Sequence, residues 1–176
     1  MNGPNESDLA ASIAEELEAD EWRLEVPYNY YGDRGVVDLV SEVRNDGERN
    51  TLHVFELKSE AALDEVTGAN EILRQYNRHR EYFIDGTDYN PSDYYEVRFE
   101  LTFTATERCL DHVLENWGIY KTVHANSRMD TSRLKQPSRV HLRPLGESAP
   151  VHIDDAQVVD SITSRKHGFV GGDTHE

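Results

Sequence analysis

The sequence has little cysteine and no long apolar run. Cys109 is the single cysteine among 176 residues, which excludes an internal disulfide, a four-cysteine zinc site and a four-cysteine iron–sulfur cluster within one chain. No stretch approaches the roughly 18 consecutive apolar residues of a membrane span, and residues 1–8 lack the basic and apolar regions of a secretory signal. We therefore expect a cytoplasmic protein that does not cross a membrane.

Lysine is also scarce, with four residues among the 18 basic ones, against 34 acidic residues and a formal net charge of −16. Acid excess with few lysines resembles proteins of salt-loving organisms. Molar salt screens the self-repulsion of such a chain, because the Debye length falls to about 3 Å. An acidic protein from an ordinary organism is the alternative. In both cases the charge bears on solubility and partners and not on the fold.

The hydrophobic periodicity predicts an α/β fold. Apolar residues at four-residue spacing indicate an amphipathic helix over residues 8–20. Alternation of apolar and polar residues predicts strands over residues 22–31, 35–44 and 51–59, with a glycine-containing turn between the last two. Pro27 favours an edge position or a bulge for the first strand, because proline donates no ladder hydrogen bond.

The second half of the chain continues with alternating elements. The pattern predicts a long helix over residues 64–83, a strand over 95–105, a short helix over 107–116 and a strand over 117–123. Beyond them we expect a basic loop over residues 126–139, short strands at 140–145, 151–153 and 157–160, and a disordered tail from residue 164. Residues 1–125 would form one domain, and residues 126–176 would add the loop, short strands and tail.

Charged residues interrupt the apolar faces of the second and third predicted strands. Glu56 and Lys58 end the row of side chains that shares one face of the third strand, and Asp38 stands between Val36 and Val40 on the second. In an antiparallel hairpin the numbers of paired residues add to a constant, which is about 94 for a turn centred near residue 47. Asp38 then faces Glu56, whereas a slip of one residue would move one carboxylate to the other face.

Two converging carboxylates beside a lysine are typical of a metal site. Mg²⁺ takes one or two protein carboxylates and completes its octahedron with water and substrate phosphate oxygens. Such an ion would polarise a phosphodiester and lower the pKa of a bound water. The ammonium of Lys58 would orient or deprotonate that water, or stabilise the transition state.

At these residues the chain resembles the PD-(D/E)XK nuclease superfamily. Its signature is an acidic residue on one strand, here Asp38, followed by Glu56-Leu57-Lys58 on the next, with Val37 in place of the proline. The resemblance covers about residues 8–105. It implies a restriction-endonuclease-like core, which consists of a helix, a three-stranded antiparallel meander, a helix and a strand, here with an added helix and strand. It also implies a DNA-cleaving enzyme with Mg²⁺, or Mn²⁺ in its place, on Asp38, Glu56 and the Leu57 carbonyl.

Related members of the superfamily add residues on the two helices that flank this core. A glutamate of the first helix is matched here by Glu16 or Glu15. A glutamine on the helix after the lysine strand is matched by Gln75, with Tyr76 or Tyr82 nearby, although neither tyrosine has the usual spacing. The resemblance further allows a homodimer, because cutting two strands requires two sites.

Basic residues that could contact phosphates occur in two places. Arg74, Arg78 and Arg80 form a patch with His79 on the long helix, and Arg133 and Lys135 lie in the basic loop. Acidic neighbours on the helix could instead neutralise the patch as surface pairs. Elsewhere on the third strand, His53 is interpreted as a packing or surface residue.

Two other functions compete with a nuclease. The same fold could serve as a catalytically idle module that binds nucleic acid or protein, or the chain could be an unrelated acidic interaction protein whose Asp38 and Glu56 do not meet. For the nuclease, the net charge repels DNA at low salt, whereas molar salt screens both this repulsion and the attraction of the arginines. We therefore expect activity that tolerates or requires high salt.

Overall fold

The computed structural model describes residues 5–16, 19–44, 50–65, 68–123, 138–143 and 151–153. They form a six-stranded sheet whose strands follow one another in chain order. The strands are β1 (Glu21–Tyr30), β2 (Asp33–Val43), β3 (Asn50–Lys58), β4 (Tyr94–Thr104), β5 (Ser138–Arg143) and β6 (Val151–Ile153). The α-helices are α1 (Glu6–Glu16), α2 (Glu60–Glu65), α3 (Ala69–Tyr82), α4 (Glu107–Glu115) and α5 (Trp117–Tyr120), and a short 3₁₀ helix (Pro91–Asp93) precedes β4.

The predicted α/β core is confirmed. Strands β1, β2 and β3 form an antiparallel meander, β4 pairs parallel to β3, and β5 pairs parallel to β4. A parallel pair needs a crossover connection, and α2 and α3 lie between β3 and β4 in the chain. Pro27 lies in β1, which forms one edge of the sheet, as its missing N–H predicts.

Both faces of the sheet carry buried apolar clusters. On one face, Leu9 and Ile13 of α1 pack against Leu39, Phe55 and Leu57. The larger cluster joins the other face of the sheet to α3, α4 and α5. The alternating side chains of β3 are thus divided between two layers of helices, and any charged residue on this strand lies beneath one of them.

Two predicted elements differ from the structure. Residues 117–123 were expected to form a strand but include helix α5, because their buried residues Trp117, Tyr120 and Val123 recur every three positions, a helical spacing. Of the helix predicted over residues 64–83, residues 69–82 form α3, whereas residues 64 and 65 end α2, which begins at Glu60. Gly68, with a φ of 131°, stands just before α3 in a conformation that favours glycine.

The sheet continues beyond residue 125, because β5 and β6 join its β4 edge. Arg139, expected in a basic loop, lies in β5. The hairpin turn at 45–49, the rest of the predicted basic loop, the strand at 157–160 and the tail lie outside the described residues. The domain boundary at residue 125 stays a prediction. None of the helices within the described ranges is long and apolar enough to cross a membrane.

Candidate active site

The register between β2 and β3 is the predicted one. Leu39 pairs with Phe55 and Val40 with Val54, so the paired numbers add to 94. The ladder ends at Leu39, and the Asp38 carboxylate accepts a hydrogen bond from the backbone N–H of Leu57, with Oδ2 2.8 Å from the nitrogen. The hairpin therefore brings Asp38 to the Glu56-Leu57-Lys58 segment.

The apolar row expected around Asp38 is not regular. Val36 is 49% exposed, whereas Val37 is buried in the same cluster as Val40, three residues away. Strict alternation would place Val37 and Val40 on opposite faces, so the alternation is interrupted between them. On β1, Glu25 has a left-handed φ of 49° between two residues that pair with Leu39 and Val37. This irregularity accompanies the turn of Asp38 toward Leu57.

Lys58 lies between two partners on β3 and α3. Its Nζ is 3.4 Å from Glu56 Oε1 and donates a hydrogen bond to Gln75 Oε1 at 3.1 Å. Glu56 and Lys58 are both buried. Gln75 thus reaches the lysine from helix α3. The structure brings together four of the residues singled out in the sequence: Asp38, Glu56, Lys58 and Gln75.

Burial dominates the electrostatics of the two carboxylates. Burial, and after it the charge of the nearby Asp38, raise the pKa of Glu56 to about 8 against the opposing effect of Lys58. Burial also raises the pKa of Asp38, against the hydrogen bond from the Leu57 N–H and the charge of Lys58. Two carboxylates that resist ionisation together, beside a single ammonium, form a site with an affinity for positive charge.

His79 is a site residue that the sequence did not single out for this role. Its Nε2 lies 3.4 Å from Glu56 Oε2, a buried oxygen that has no hydrogen bond. Burial lowers the pKa of His79 to about 4, with Lys58 and Arg78 adding to the shift, so the imidazole is neutral near pH 7. The sequence feature that could have predicted this role is its position four residues after Gln75, which places both side chains on one face of the helix.

Helix α1 approaches the site with its first turn and not its last. Glu15 and Glu16 are exposed at the end of the helix, and Glu16 lies about 15 Å along the axis from Glu6 at a rise of about 1.5 Å per residue. Glu6 accepts a hydrogen bond from Ser59 Oγ at 2.9 Å, and its charge raises the pKa of both Asp38 and Glu56. The predicted start at residue 8 had left Glu6 outside the helix.

The predicted tyrosines do not join the lysine. Tyr76 is buried and its hydroxyl contacts that of Ser138, while Tyr82 stacks on Tyr30 of β1. The position of each tyrosine on α3 explains its contacts. Tyr76 lies on the core face of the helix, and Tyr82 is its last residue, beside the β1–β2 hairpin.

The arginines of α3 separate into two groups. Arg74 and Arg78 are exposed, Arg74 pairs with Glu71, and Arg78 donates to the Arg34 carbonyl at 3.0 Å. Arg80 instead lies over the Phe99 ring, 5.9 Å from its centroid. The predicted patch therefore contains two exposed arginines and not three. Arg133 and Lys135 lie outside the described residues.

The residues present fit a hard divalent cation. Within the described ranges no group of three or more His, Cys, Asp and Glu side chains converges as a metal-ligand set. Asp38 and Glu56 nevertheless supply two carboxylates, and Glu56 Oε2 is buried without a hydrogen bond. Mg²⁺ needs only one or two protein carboxylates, because water and substrate oxygens fill its other positions.

Comparison with known proteins agrees with this geometry. A family model described as a PD-(D/E)XK nuclease superfamily domain matches residues 5–140, which include the described helices α1 to α5 and both strands of the candidate site. Neither the curated proteins nor the solved structures gave a match.

Proposed function

The chain belongs to the PD-(D/E)XK nuclease superfamily, and from this premise we propose that it is a metal-dependent nuclease that hydrolyses phosphodiester bonds of DNA. The observation that carries the proposal is the convergence of Asp38, Glu56 and Lys58 at the end of β3, with Lys58 held by Gln75. An idle descendant of the fold would have no need to keep these three charges together.

Asp38 and Glu56 would hold Mg²⁺, with the Leu57 carbonyl as a third ligand and Mn²⁺ as a substitute ion. When bound, the ion would polarise the phosphodiester and lower the pKa of a coordinated water. The protein contributes the orientation of both carboxylates. The Leu57 N–H fixes one oxygen of Asp38, and His79 faces one oxygen of Glu56.

Lys58 would act on the attacking water or on the developing charge of the phosphate. Glu56 and Gln75 hold its Nζ from two sides, so the ammonium is positioned before substrate arrives. Preorganised positive charge in a site with little water stabilises a transition state more strongly than it would in bulk solvent. Gln75 is a positioning residue in this scheme, because it contacts the lysine.

The proposal is tested by cleavage of plasmid and branched DNA at 0.2 M and 2 M KCl, with Mg²⁺, Mn²⁺ or EDTA. We expect metal-dependent cutting by the wild type, undiminished or stronger at 2 M KCl, and its loss in Lys58→Ala and Asp38→Ala. Lys121→Ala serves as the matched control, because this lysine is exposed at the end of α5. Cutting that survives in Lys58→Ala would contradict the assignment of the site.

A wild type that is inert under all these conditions but binds DNA would favour the idle module. A protein that neither cuts nor binds DNA would favour the acidic interaction protein. Size-exclusion chromatography with light scattering on the same preparation tests the homodimer, which stays a prediction.

A further inference from the structure

The tip of the β1–β2 hairpin presents an exposed aromatic residue in an unfavourable backbone conformation. Tyr30 pairs with Asp33, and the two residues between them, Tyr31 and Gly32, have φ values of 50° and 95°. This is the signature of a type I′ turn, in which asparagine or glycine is favoured at both positions. Tyr31 is 96% exposed. The fold thus places a strained residue where its ring gains almost no burial.

Tyr31 is the outer member of a row of three rings. Its ring lies edge-on to Tyr30, with centroids 4.8 Å apart, and Tyr30 stacks on Tyr82 at 4.6 Å and an angle of 15°. We refer to Tyr30, Tyr31 and Tyr82 as the tyrosine stack. Tyr30 and Tyr82 come from the sheet and from α3, so the stack bridges two elements.

The tyrosine stack rests on a fixed support. The Asn29 side chain accepts a hydrogen bond from the Gly32 N–H at 2.9 Å, which closes the turn. The Asn29 N–H donates to the Gly86 carbonyl, also at 2.9 Å, and ties the hairpin to the segment after α3. A surface whose rings are already in place loses little conformational freedom when it binds a flat ligand.

Helix α3 links the tyrosine stack to the candidate active site. Gln75 contacts Lys58, His79 faces Glu56, and Tyr82 follows His79 after three residues, a rise of about 4.5 Å. The exposed Arg78 lies between these positions and bonds to the Arg34 carbonyl near the hairpin tip. The path from Glu56 and Asp38 to the exposed Tyr31 therefore passes a guanidinium.

We propose that the tyrosine stack binds unpaired nucleobases of the substrate, and that the chain acts on nucleic acid with single-stranded nucleotides beside the cleaved phosphodiester. This inference rests on the proposed function and names its substrate class. Bases in a duplex are stacked on one another and offer no free face, whereas unpaired bases stack on aromatic side chains regardless of sequence. Arg78, whose guanidinium also lies 3.9 Å from Asp33 Oδ1, is the α3 cation placed to contact a phosphate between the two regions.

Stacking suits this chain because its acidic charge does not favour binding of a polyanion. With a net charge of −16 the protein repels a polyanion at low salt, and molar salt weakens contacts between arginine and phosphate. Stacking depends on apolar contact and is far less sensitive to screening. A tyrosine stack therefore supplies affinity under conditions in which this chain cannot obtain it from charge.

The test measures binding of fluorescent oligonucleotides to Lys58→Ala protein, so that no cleavage intervenes. The ligands are single-stranded DNA, its duplex, and a single strand of equal length made of abasic nucleotides. The variants are Tyr31→Asn, which suits the type I′ turn and so keeps the fold, and Tyr31→Trp, which keeps an aromatic face. Tyr95→Ala is the control, because Tyr95 is a half-exposed tyrosine on β4.

We expect Tyr31→Asn to weaken single-strand binding by between about 5-fold and 150-fold, which corresponds to about 1–3 kcal/mol per stacked base. Its thermal stability should equal or exceed that of the parent, and its binding of duplex and abasic strands should be unchanged. Tyr31→Trp should retain single-strand binding. Equal losses for all three ligands, no loss for the single strand, or no single-strand binding by the parent would each overturn the inference.

A cleavage assay separates this inference from the proposed function. Suppose that the single variant Tyr31→Asn cuts gapped or branched DNA as fast as the wild type, while Lys58→Ala is inactive. This result would support the proposed nuclease and contradict the role of the tyrosine stack. If neither wild type nor Tyr31→Asn cuts any substrate, the proposed function falls, and the binding comparison still decides the role of the stack.

Discussion

His79 Nε2 lies 3.4 Å from Glu56 Oε2, on the side of the carboxylate away from Lys58. A neutral imidazole in this place can donate to the carboxylate and hold its orientation. We expect His79→Ala to lower metal affinity or cleavage rate by about 10-fold to 100-fold, the usual effect of removing a residue that orients a metal ligand. Calorimetric titration with Mg²⁺ and Mn²⁺ gives the affinity independently of cleavage.

Two further variants sharpen that experiment. His79→Gln keeps a side-chain donor and should recover part of the affinity, while Glu81→Ala, an exposed position on the same helix, should match the wild type. Equal metal affinity in wild type and His79→Ala, with the fold intact, would show that the contact does not position Glu56.

Glu56→Gln should stabilise the metal-free protein at alkaline pH. Because the pKa of Glu56 is raised to about 8 in the folded state, ionisation costs stability as pH rises from about 4.5 through 8. Each unit of such a shift corresponds to about 1.4 kcal/mol. Urea unfolding in EDTA should therefore show little difference between Glu56→Gln and wild type at pH 4.5 and a growing advantage for the variant toward pH 9.

Divalent metal provides the control for that comparison. A bound cation stabilises the folded wild type by mass action, and the amide of the variant is a poor ligand. Added Mg²⁺ should thus reduce or reverse the advantage of Glu56→Gln. An advantage that is constant between pH 4.5 and 9 would mean that Glu56 titrates normally.

The hairpin register was predictable because it follows from local rules. Alternation along β2 and β3 and the position of the turn determine which residues pair, and Leu39 indeed faces Phe55. The same reasoning failed at Val36 and Val37, because it assumed a regular strand where Asp38 leaves the ladder. The hydrogen bond from the Leu57 N–H to the Asp38 carboxylate is a tertiary contact, and the apolar pattern of β2 alone does not predict it.

His79 and Glu6 were missed for a related reason. Each contacts the site from a helix packed on the sheet. Sequence periodicity predicts which face of a helix is buried, but not where along the sheet the helix lies. The wrong prediction of a strand over residues 117–123 had a different cause. The aromatic and β-branched residues of this segment favour a strand, but the burial of Trp117, Tyr120 and Val123 on one side outweighs that propensity.

Gly35→Ala should disturb the support of His79. Gly35 pairs with Tyr28, and a Cβ at this position would overlap the Tyr28 ring, which itself packs edge-on against His79 at 5.5 Å. Overpacking of this kind costs about 1–3 kcal/mol. We expect that loss in urea unfolding, together with weaker Mg²⁺ binding as Tyr28 is displaced toward the imidazole.

Gly118→Ala is the matched control for Gly35→Ala, because a Cβ at Gly118 meets no atom within 4 Å and the residue lies in a helix. It should be neutral or stabilise the protein by up to about 1 kcal/mol. If Gly35→Ala is equally neutral or stabilising, the position of the Tyr28 ring does not require a glycine at residue 35.

Glu100 should govern stability in acid. It is buried on β4, its carboxylate is bonded by Arg143 at 2.6 and 2.9 Å, and His141 and His53 approach to 3.0 and 3.4 Å. Burial raises the pKa of Glu100, but these partners outweigh it and hold the pKa well below the usual range. His53 also stacks on Phe55. It is therefore a packing residue on the face of β3 that Glu56 does not share, in agreement with its interpretation from the sequence.

A depressed pKa contributes stability that is complete above the unfolded value of about 4.5 and is lost as pH falls through the folded value. Glu100→Gln should therefore be destabilised at pH 7 by about 3–5 kcal/mol, since Arg143 loses its buried partner, and should lose less further stability than wild type between pH 5 and 3. Thermal unfolding across this pH range measures both effects. Parallel curves for the two proteins would mean that Glu100 does not titrate below its usual range. A Glu100→Gln, Arg143→Met pair that recovers stability at pH 7 would assign the loss in the single variant to the unpaired guanidinium, because the double variant removes both charges from the sheet face.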